Sequence, residues 1–157
     1  MSVNFKHVGT KQYERRAQQT TEKTTVVPYG IRMPVTFGNQ GEGLFQMNLT
    51  LADEIKDNLR NLILTNHGER LGRYNYGANL QPLCTEYTNK EEFEQEAAVR
   101  IKTAVDEWLP FIDLEDLNSY PNFDDNRHTG KIGMLVTYSI PRLNLRQQSL
   151  EVTLFVI

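Results

Sequence analysis

The sequence predicts an α+β domain in which two principal helices pack on a small mixed or antiparallel sheet, with a C-terminal strand available for partner pairing. Three observations carry this. Apolar residues recur every three or four positions over 51–65 and again over 88–110, the spacing that gathers them on one helix face. Beyond Pro110 the pattern changes to alternation, the period of a strand. The 157 residues suffice for one core with an appendage and are too few for two independent ones.

Residues 1–27 carry Lys6, Lys11, Arg15, Arg16 and Lys23 against Glu14 and Glu22, with few large apolar side chains. Burial within such a segment does not offset its ordering entropy, so it is expected to be a basic arm, flexible or ordered by a partner, preceding a main domain over 28–157. In "VVPYGIRMPVTFGNQGEGLFQMNLT" two short extended pieces flank the turn "GNQGEG", and Pro28 and Pro34 restrict them to a loop or edge hairpin. The first helix is "LADEIKDNLRNLILT", with Leu51, Ile55, Leu59, Leu62 and Ile63 as its apolar stripe. Thr50 with Asp53 caps its start and Gly68 is its stop.

The second helix lies in "TNKEEFEQEAAVRIKTAVDEWLP". Phe93, Ala97, Ile101, Val105 and Trp108 form its buried face, Thr88 or Asn89 caps it, and Pro110, which has no backbone donor, ends it. Three strands follow, "FIDLEDLNSY", "KIGMLVTYSI" and "LEVTLFVI", separated by "PNFDDNRHTG" and "PRLNLRQQS". In the last, Leu150, Val152, Leu154 and Val156 share one face and Glu151, Thr153, Phe155 and Ile157 the other. With apolar groups on both faces, this strand needs cover on each side or a place in a neighbour's sheet.

The formal charge of −3 argues against a globally basic polynucleotide binder. Residues 86–116, with ten acidic and three basic side chains, would repel a phosphate backbone, so nucleic acid is not an expected partner. Cys84 stands alone, which allows no internal disulfide. No apolar run approaches the ~20 residues that span a bilayer, and the first 25 residues lack the hydrophobic centre of a secretory signal. The expectation is a soluble protein made in the cytoplasm, with no membrane partner.

The stretch "LTNHGERLGRYNYG", residues 64–77, concentrates Glu69, Arg70, Arg73, Tyr74 and Tyr76 among glycines. A glycosidase would need a second carboxylate opposite Glu69. Asp53, Asp57 and Glu86 are candidates, but Arg70 and Arg73 would lower the Glu69 pKa, the wrong direction for a general acid. A structural Glu–Arg network is the better expectation, and no catalytic residue is assigned. His7, His67, His128 and Cys84 lack the paired short spacings of a zinc site, so no metal or cofactor is expected. No nucleophile elbow or P-loop is present. Arginine and tyrosine both suit surfaces where proteins meet. With the basic arm and the apolar final strand, they favour an assembly subunit over an enzyme.

Thr65, Gly68, Glu69 and Arg70 form a Thr-x-x-Gly-Glu-Arg corner after an apolar helix. With the approach "YGIRMPVTFGNQGEGLF" before it and the turn Asn75 to Gly77 after it, the chain resembles the small baseplate wedge protein of contractile phage tails. That family is also called the sheath initiator and was once labelled a baseplate lysozyme. The resemblance covers about residues 28–157. Many relatives end the second helix in Glu-Pro-Arg, where this chain has Leu109, Pro110 and Phe111. The resemblance implies a virion protein of the tail baseplate, held among wedge proteins at the inner baseplate, with the tail tube or central hub as a further candidate contact. It also implies that the strand Leu150, Glu151, Val152, Thr153, Leu154, Phe155, Val156, Ile157 templates attachment of the tail sheath protein. Thr65, Gly68, Glu69, Arg70, Arg73, Tyr74, Tyr76 and Gly77 would then be fold or interface residues. A head-completion protein, a stand-alone adaptor and, remotely, a peptidoglycan hydrolase are the alternatives.

Overall fold

The computed structural model describes residues 27–38, 44–86, 90–123 and 130–155. The predicted arm up to residue 26, the glycine-rich turn, the Thr88 and Asn89 cap, His7, His128, Val156 and Ile157 lie outside the described residues. In chain order the elements are β1 (Gly30–Ile31), β2 (Met47–Asn48), α1 (Leu51–Leu64), α2 (Leu83–Glu86), α3 (Lys90–Trp108), β3 (Asp113–Phe123), β4 (Gly130–Ile140), a 3-10 turn (Pro141–Leu143) and β5 (Leu145–Phe155). β1 and β2 form a small antiparallel hairpin, and the C-terminal strands form an antiparallel sheet in the order β3-β4-β5. This is the α+β arrangement expected from the sequence, with the sheet antiparallel throughout.

The core lies between α1, α3 and one face of the larger sheet. Ile55, Leu59, Leu62 and Ile63 of α1 meet Phe93, Ala97, Ile101 and Val105 of α3 in a single buried cluster. The sheet contributes Met134, Val136, Tyr138 and Ile140 from β4 and Leu150, Val152 and Leu154 from β5. The period of two decides which strand residues take part: Ile132 pairs with Leu154, Met134 with Val152 and Val136 with Leu150, and all six point inward or lie half-buried. Burial of side chains this size contributes roughly 1.5–3 kcal/mol each before entropy is counted.

Several boundaries differ from the sequence reading. α1 stops at Leu64, with Thr65 as an extended C-cap whose N–H donates to the Asn61 carbonyl at 3.1 Å. Gly68 lies beyond the helix in a left-handed turn at φ +86°. Thr50 caps α1 as expected: its Oγ accepts from the Asp53 N–H at 3.2 Å and donates to the Asp53 carboxylate at 2.6 Å. Leu51 is exposed instead of joining the apolar stripe, whereas Asp57 is buried. The single turn α2 was not predicted, because four residues are too short to display a helical period.

β5 begins at Leu145, five residues before the apolar run that announced it, because a bulge absorbs its polar start. Tyr138 pairs with Gln148 but Ile140 pairs with Leu145, one residue out of step, and Gln147 takes up the extra residue at φ +50°. Asn144, at φ +53°, makes the reversal after the 3-10 turn. β3 likewise runs past the predicted Tyr120 to Phe123, with Pro121 tolerated because β3 is an edge strand.

On the sheet face away from the helices, Glu151, Thr153 and Phe155 are exposed. Tyr120 of β3 lies across Gly133 of β4, where any Cβ would overlap its ring, and its hydroxyl donates to the Glu151 carboxylate of β5. One side chain thus ties all three strands. Glu151 as acceptor holds the phenol in its protonated form and raises the Tyr120 pKa.

Candidate functional site

The corner Thr65–Gly77 is folded back on itself by backbone bonds. The Gly68 N–H donates to the Tyr74 carbonyl at 2.8 Å, the Arg73 N–H to Arg70 at 3.2 Å, and the Tyr76 N–H to Arg73 at 3.2 Å. Its return is stitched to the end of α1 by Ala78 N–H to the Leu62 carbonyl at 3.0 Å and Asn79 N–H to Thr65 at 3.3 Å. Thr65 Oγ donates to the Asn61 carbonyl at 2.6 Å. Gly77 passes so close to the Thr65 backbone that a Cβ would overlap its carbonyl, and its φ of +111° is one that side-chain-bearing residues rarely adopt. Two separate physical reasons therefore require glycine there.

Glu69 is not held by the arginines. Its carboxylate accepts from the Asn66 N–H at 2.8 Å and from the Asn66 side-chain amide at 2.9 Å, an arrangement in which Asn and Glu three residues apart close a turn. Those two donors, side chain first, lower the Glu69 pKa below its ordinary value of 4.5. The direction agrees with the sequence reading, but the cause is an amide and not a guanidinium. Asn66 also donates to Gln81 Oε1 at 2.8 Å and accepts from the Gln81 N–H at 3.2 Å, which fastens the corner to the segment before α2. His67 Nε2 lies 3.2 Å from the Gly77 carbonyl.

The arginines turn instead to aromatic rings. Arg70 Cζ lies 3.9 Å from the centre of the Tyr76 ring, and Arg73 Cζ lies 5.2 Å from the Trp108 ring. Tyr76 and Trp108 themselves meet at 5.2 Å with their planes tilted by 60°. Such cation–π contacts contribute about 0.5–1 kcal/mol at exposed sites. Trp108 Nε1 is buried with no hydrogen-bond partner among the described residues, so the indole is held by its rings' contacts alone. Leu71 is fully exposed and Tyr74 largely so.

A cleft of about 400 Å³ separates the corner from α3, lined by His67, Gly77, Asn79, Arg100, Thr103 and Glu107 among others. Arg100, on its lining, donates to the Asn79 carbonyl at 2.9 Å and to Glu96 at 3.0 Å. Glu69 does not line this cleft. Of the carboxylates considered as its catalytic partner, Asp53 accepts from the hydroxyl of the α1 cap Thr50, and Asp57 accepts from the Met33 N–H at 2.8 Å and the Asn48 amide at 2.9 Å. Cys84 donates weakly to the Leu80 carbonyl at 3.6 Å, and burial raises its pKa.

Thr65, Gly68, Glu69, Arg70, Arg73, Tyr74, Tyr76 and Gly77 thus come together as one folded corner. Sequence reasoning missed Asn66, Asn79 and Gln81, which hold it. Asn66 was legible in its three-residue spacing to Glu69, whereas Gln81, fifteen residues on, gave no local signal.

This helix, glycine-bounded corner, helix and antiparallel sheet match a known family. The family described as baseplate wedge protein gp25 matches over residues 49–144. The chain belongs to that family. It is accordingly a structural subunit of a multiprotein tail baseplate. No curated protein matches the chain significantly. Two solved structures share the wedge protein's fold. One is a protein provisionally described as a tail lysozyme, from Geobacter sulfurreducens, at 17% identity and a TM-score of 0.54, covering 69% of this chain and 93% of that one. The other is a chain of the six-fold symmetrised anti-feeding prophage (AFP) baseplate, at 16% identity and a TM-score of 0.50, covering 80% of this chain and 82% of that one.

Proposed function

We propose that this wedge subunit docks at the inner baseplate and offers β5 as the template on which the first tail-sheath subunits attach, and that it works without hydrolytic chemistry. The observation that carries the reading is the state of β5. Among the described residues it pairs with β4, its inward side chains Leu150, Val152 and Leu154 are anchored in the core, and no described strand pairs with its other long edge. A strand held rigidly on one side presents a fixed row of backbone donors and acceptors on the other, which is what strand addition by a neighbour needs. Tyr120, by holding Glu151, adds to that rigidity. The corner fastens the end of α1 to the segment before α2.

The inward residues of β5 are part of the core, so deleting the strand would damage the fold and test nothing about sheath. A cleaner test adds lysine at the exposed positions, as Thr153→Lys with Phe155→Lys, since edge lysines oppose strand pairing. The variant should enter baseplates normally and fail to start ordered sheath, scored by electron microscopy. Normal sheath on baseplates containing it would sink the template role. For the enzymatic alternative, purified protein should leave peptidoglycan intact; turnover lost in Glu69→Gln would restore a hydrolase.

A further inference from the structure

The β1–β2 hairpin is inside out. Its contact with α1 is polar: Asn48 of the hairpin is 3% exposed and Asp57 of α1 8%, and the Asn48 amide donates to Asp57 at 2.9 Å and to Glu54 of α1 at 3.1 Å. Gly30, paired with Asn48, lies so close to the Glu54 carboxylate that a Cβ would overlap it. The other face carries the apolar side chains. Tyr29, Ile31 and Leu49 are exposed at 59%, 46% and 51%. Farther along, Val35, Leu44 and Phe37 are also exposed, with Phe37 stacked on Phe45 at 6.5 Å.

A solitary domain places polar groups outward and gathers apolar ones within, so a compact exposed apolar surface on a polar foundation marks a place where another protein sits. The carboxylates nearby are committed: Asp53 to the Thr50 hydroxyl, Glu54 to Asn48 and Asn58, Asp57 to Asn48 and Met33. Arg32, in the middle of the apolar run, is an exposed cation. Most of the hairpin, moreover, precedes the family-matched span that begins at residue 49.

We infer that the outward face of this hairpin, centred on Tyr29, Ile31, Phe37 and Leu49, is the docking surface for a neighbouring wedge subunit that presents an apolar face with a carboxylate at its margin to meet Arg32. The inference rests on the baseplate role proposed above but is independent of β5. It divides the molecule into two partner surfaces: the hairpin faces the wedge and β5 faces the sheath.

The test uses the full-length chain with the purified wedge subunits of the same baseplate. Two variants are compared with wild type: Phe37→Ser with Leu49→Ser, and Arg32→Glu. Both should remain folded, with a melting temperature close to that of wild type, since Phe37, Leu49 and Arg32 lie outside the buried core. The double variant should bind the wedge at least about tenfold more weakly. Arg32→Glu should also weaken binding, with a loss that grows as salt is lowered. If wild type and the double variant bind equally, the hairpin inference is overturned while the wedge role stands. If wild type binds no wedge subunit, the role itself fails and the inference with it. If the wild type instead self-associates and the double variant is monomeric with unchanged wedge binding, the surface belongs to a second copy of this chain, which also overturns the inference.

Discussion

The hairpin and the C-terminal sheet solve the same problem in opposite ways. In the sheet, Met134, Val136, Leu150 and Val152 face the helices and polar or isolated apolar groups face solvent. In the hairpin, Asn48 faces inward onto Asp57 of α1, and Tyr29, Ile31 and Phe37 face out. The sheet therefore stabilises the monomer, whereas the hairpin is held to it by a few hydrogen bonds and keeps its apolar area for something else. Burial of a hydrophobic side chain and its usefulness to a partner are competing uses of the same surface, and this chain assigns them to different segments.

The sharpest way to break that contrast is a pair of substitutions. Leu62→Ala, at a fully buried site, should cost about 2–5 kcal/mol in urea unfolding. Phe37→Ser, on the hairpin, should change stability by no more than about 0.5 kcal/mol. Comparable losses would mean that the hairpin is part of the core. Asp57→Ala comes next: it removes the acceptor of the Met33 N–H and the Asn48 amide, at a cost of about 1–3 kcal/mol. Hydrogen exchange should show the loss concentrated in the hairpin, with α3 and the sheet unchanged.

Gly77→Ala probes the corner that follows α1. It places a Cβ against the Thr65 carbonyl at a positive φ and should cost more than about 1 kcal/mol, with faster exchange at Ala78 and Asn79. The smallest effect concerns acid. The Asn66 donors depress the folded-state pKa of Glu69, so its contribution is present above the ordinary value of 4.5 and is lost as pH falls through the lowered folded value. Glu69 is exposed, so the change in stability is slight, and a carboxyl titration by NMR is the better readout. Its midpoint should lie below 4.5 and return toward it in Asn66→Ala.

The regular parts of this fold were legible because their signals are periodic. The stripe of Ile55, Leu59, Leu62 and Ile63, the face of Phe93, Ala97, Ile101 and Val105, and the alternation in β4 and β5 each repeat within one element. The corner was legible as a cluster, but not in its wiring. Arg70 and Arg73 next to Glu69 suggested ion pairs, yet the tertiary fold brings Tyr76 and Trp108 within their reach and leaves Glu69 to Asn66. Asp57 shows the same limit: nothing local announces that the Met33 N–H and the Asn48 amide converge on this helical carboxylate. The early start of β5 was hidden because Gln147 and Gln148 have no apolar alternation, and a bulge needs none. Family membership was legible in the ordered set from Thr65 to Gly77, and the match over residues 49–144 bears it out.

Hydrogen exchange on the full-length protein, measured free, then in the assembled wedge, then after sheath addition, tests the two-surface account most directly. The account predicts protection that appears first over residues 29–37 and 44–51 on wedge assembly, and only afterwards over residues 145–155 when sheath is added. Protection of both segments at the wedge stage, or none over 145–155 once sheath is in place, would contradict it.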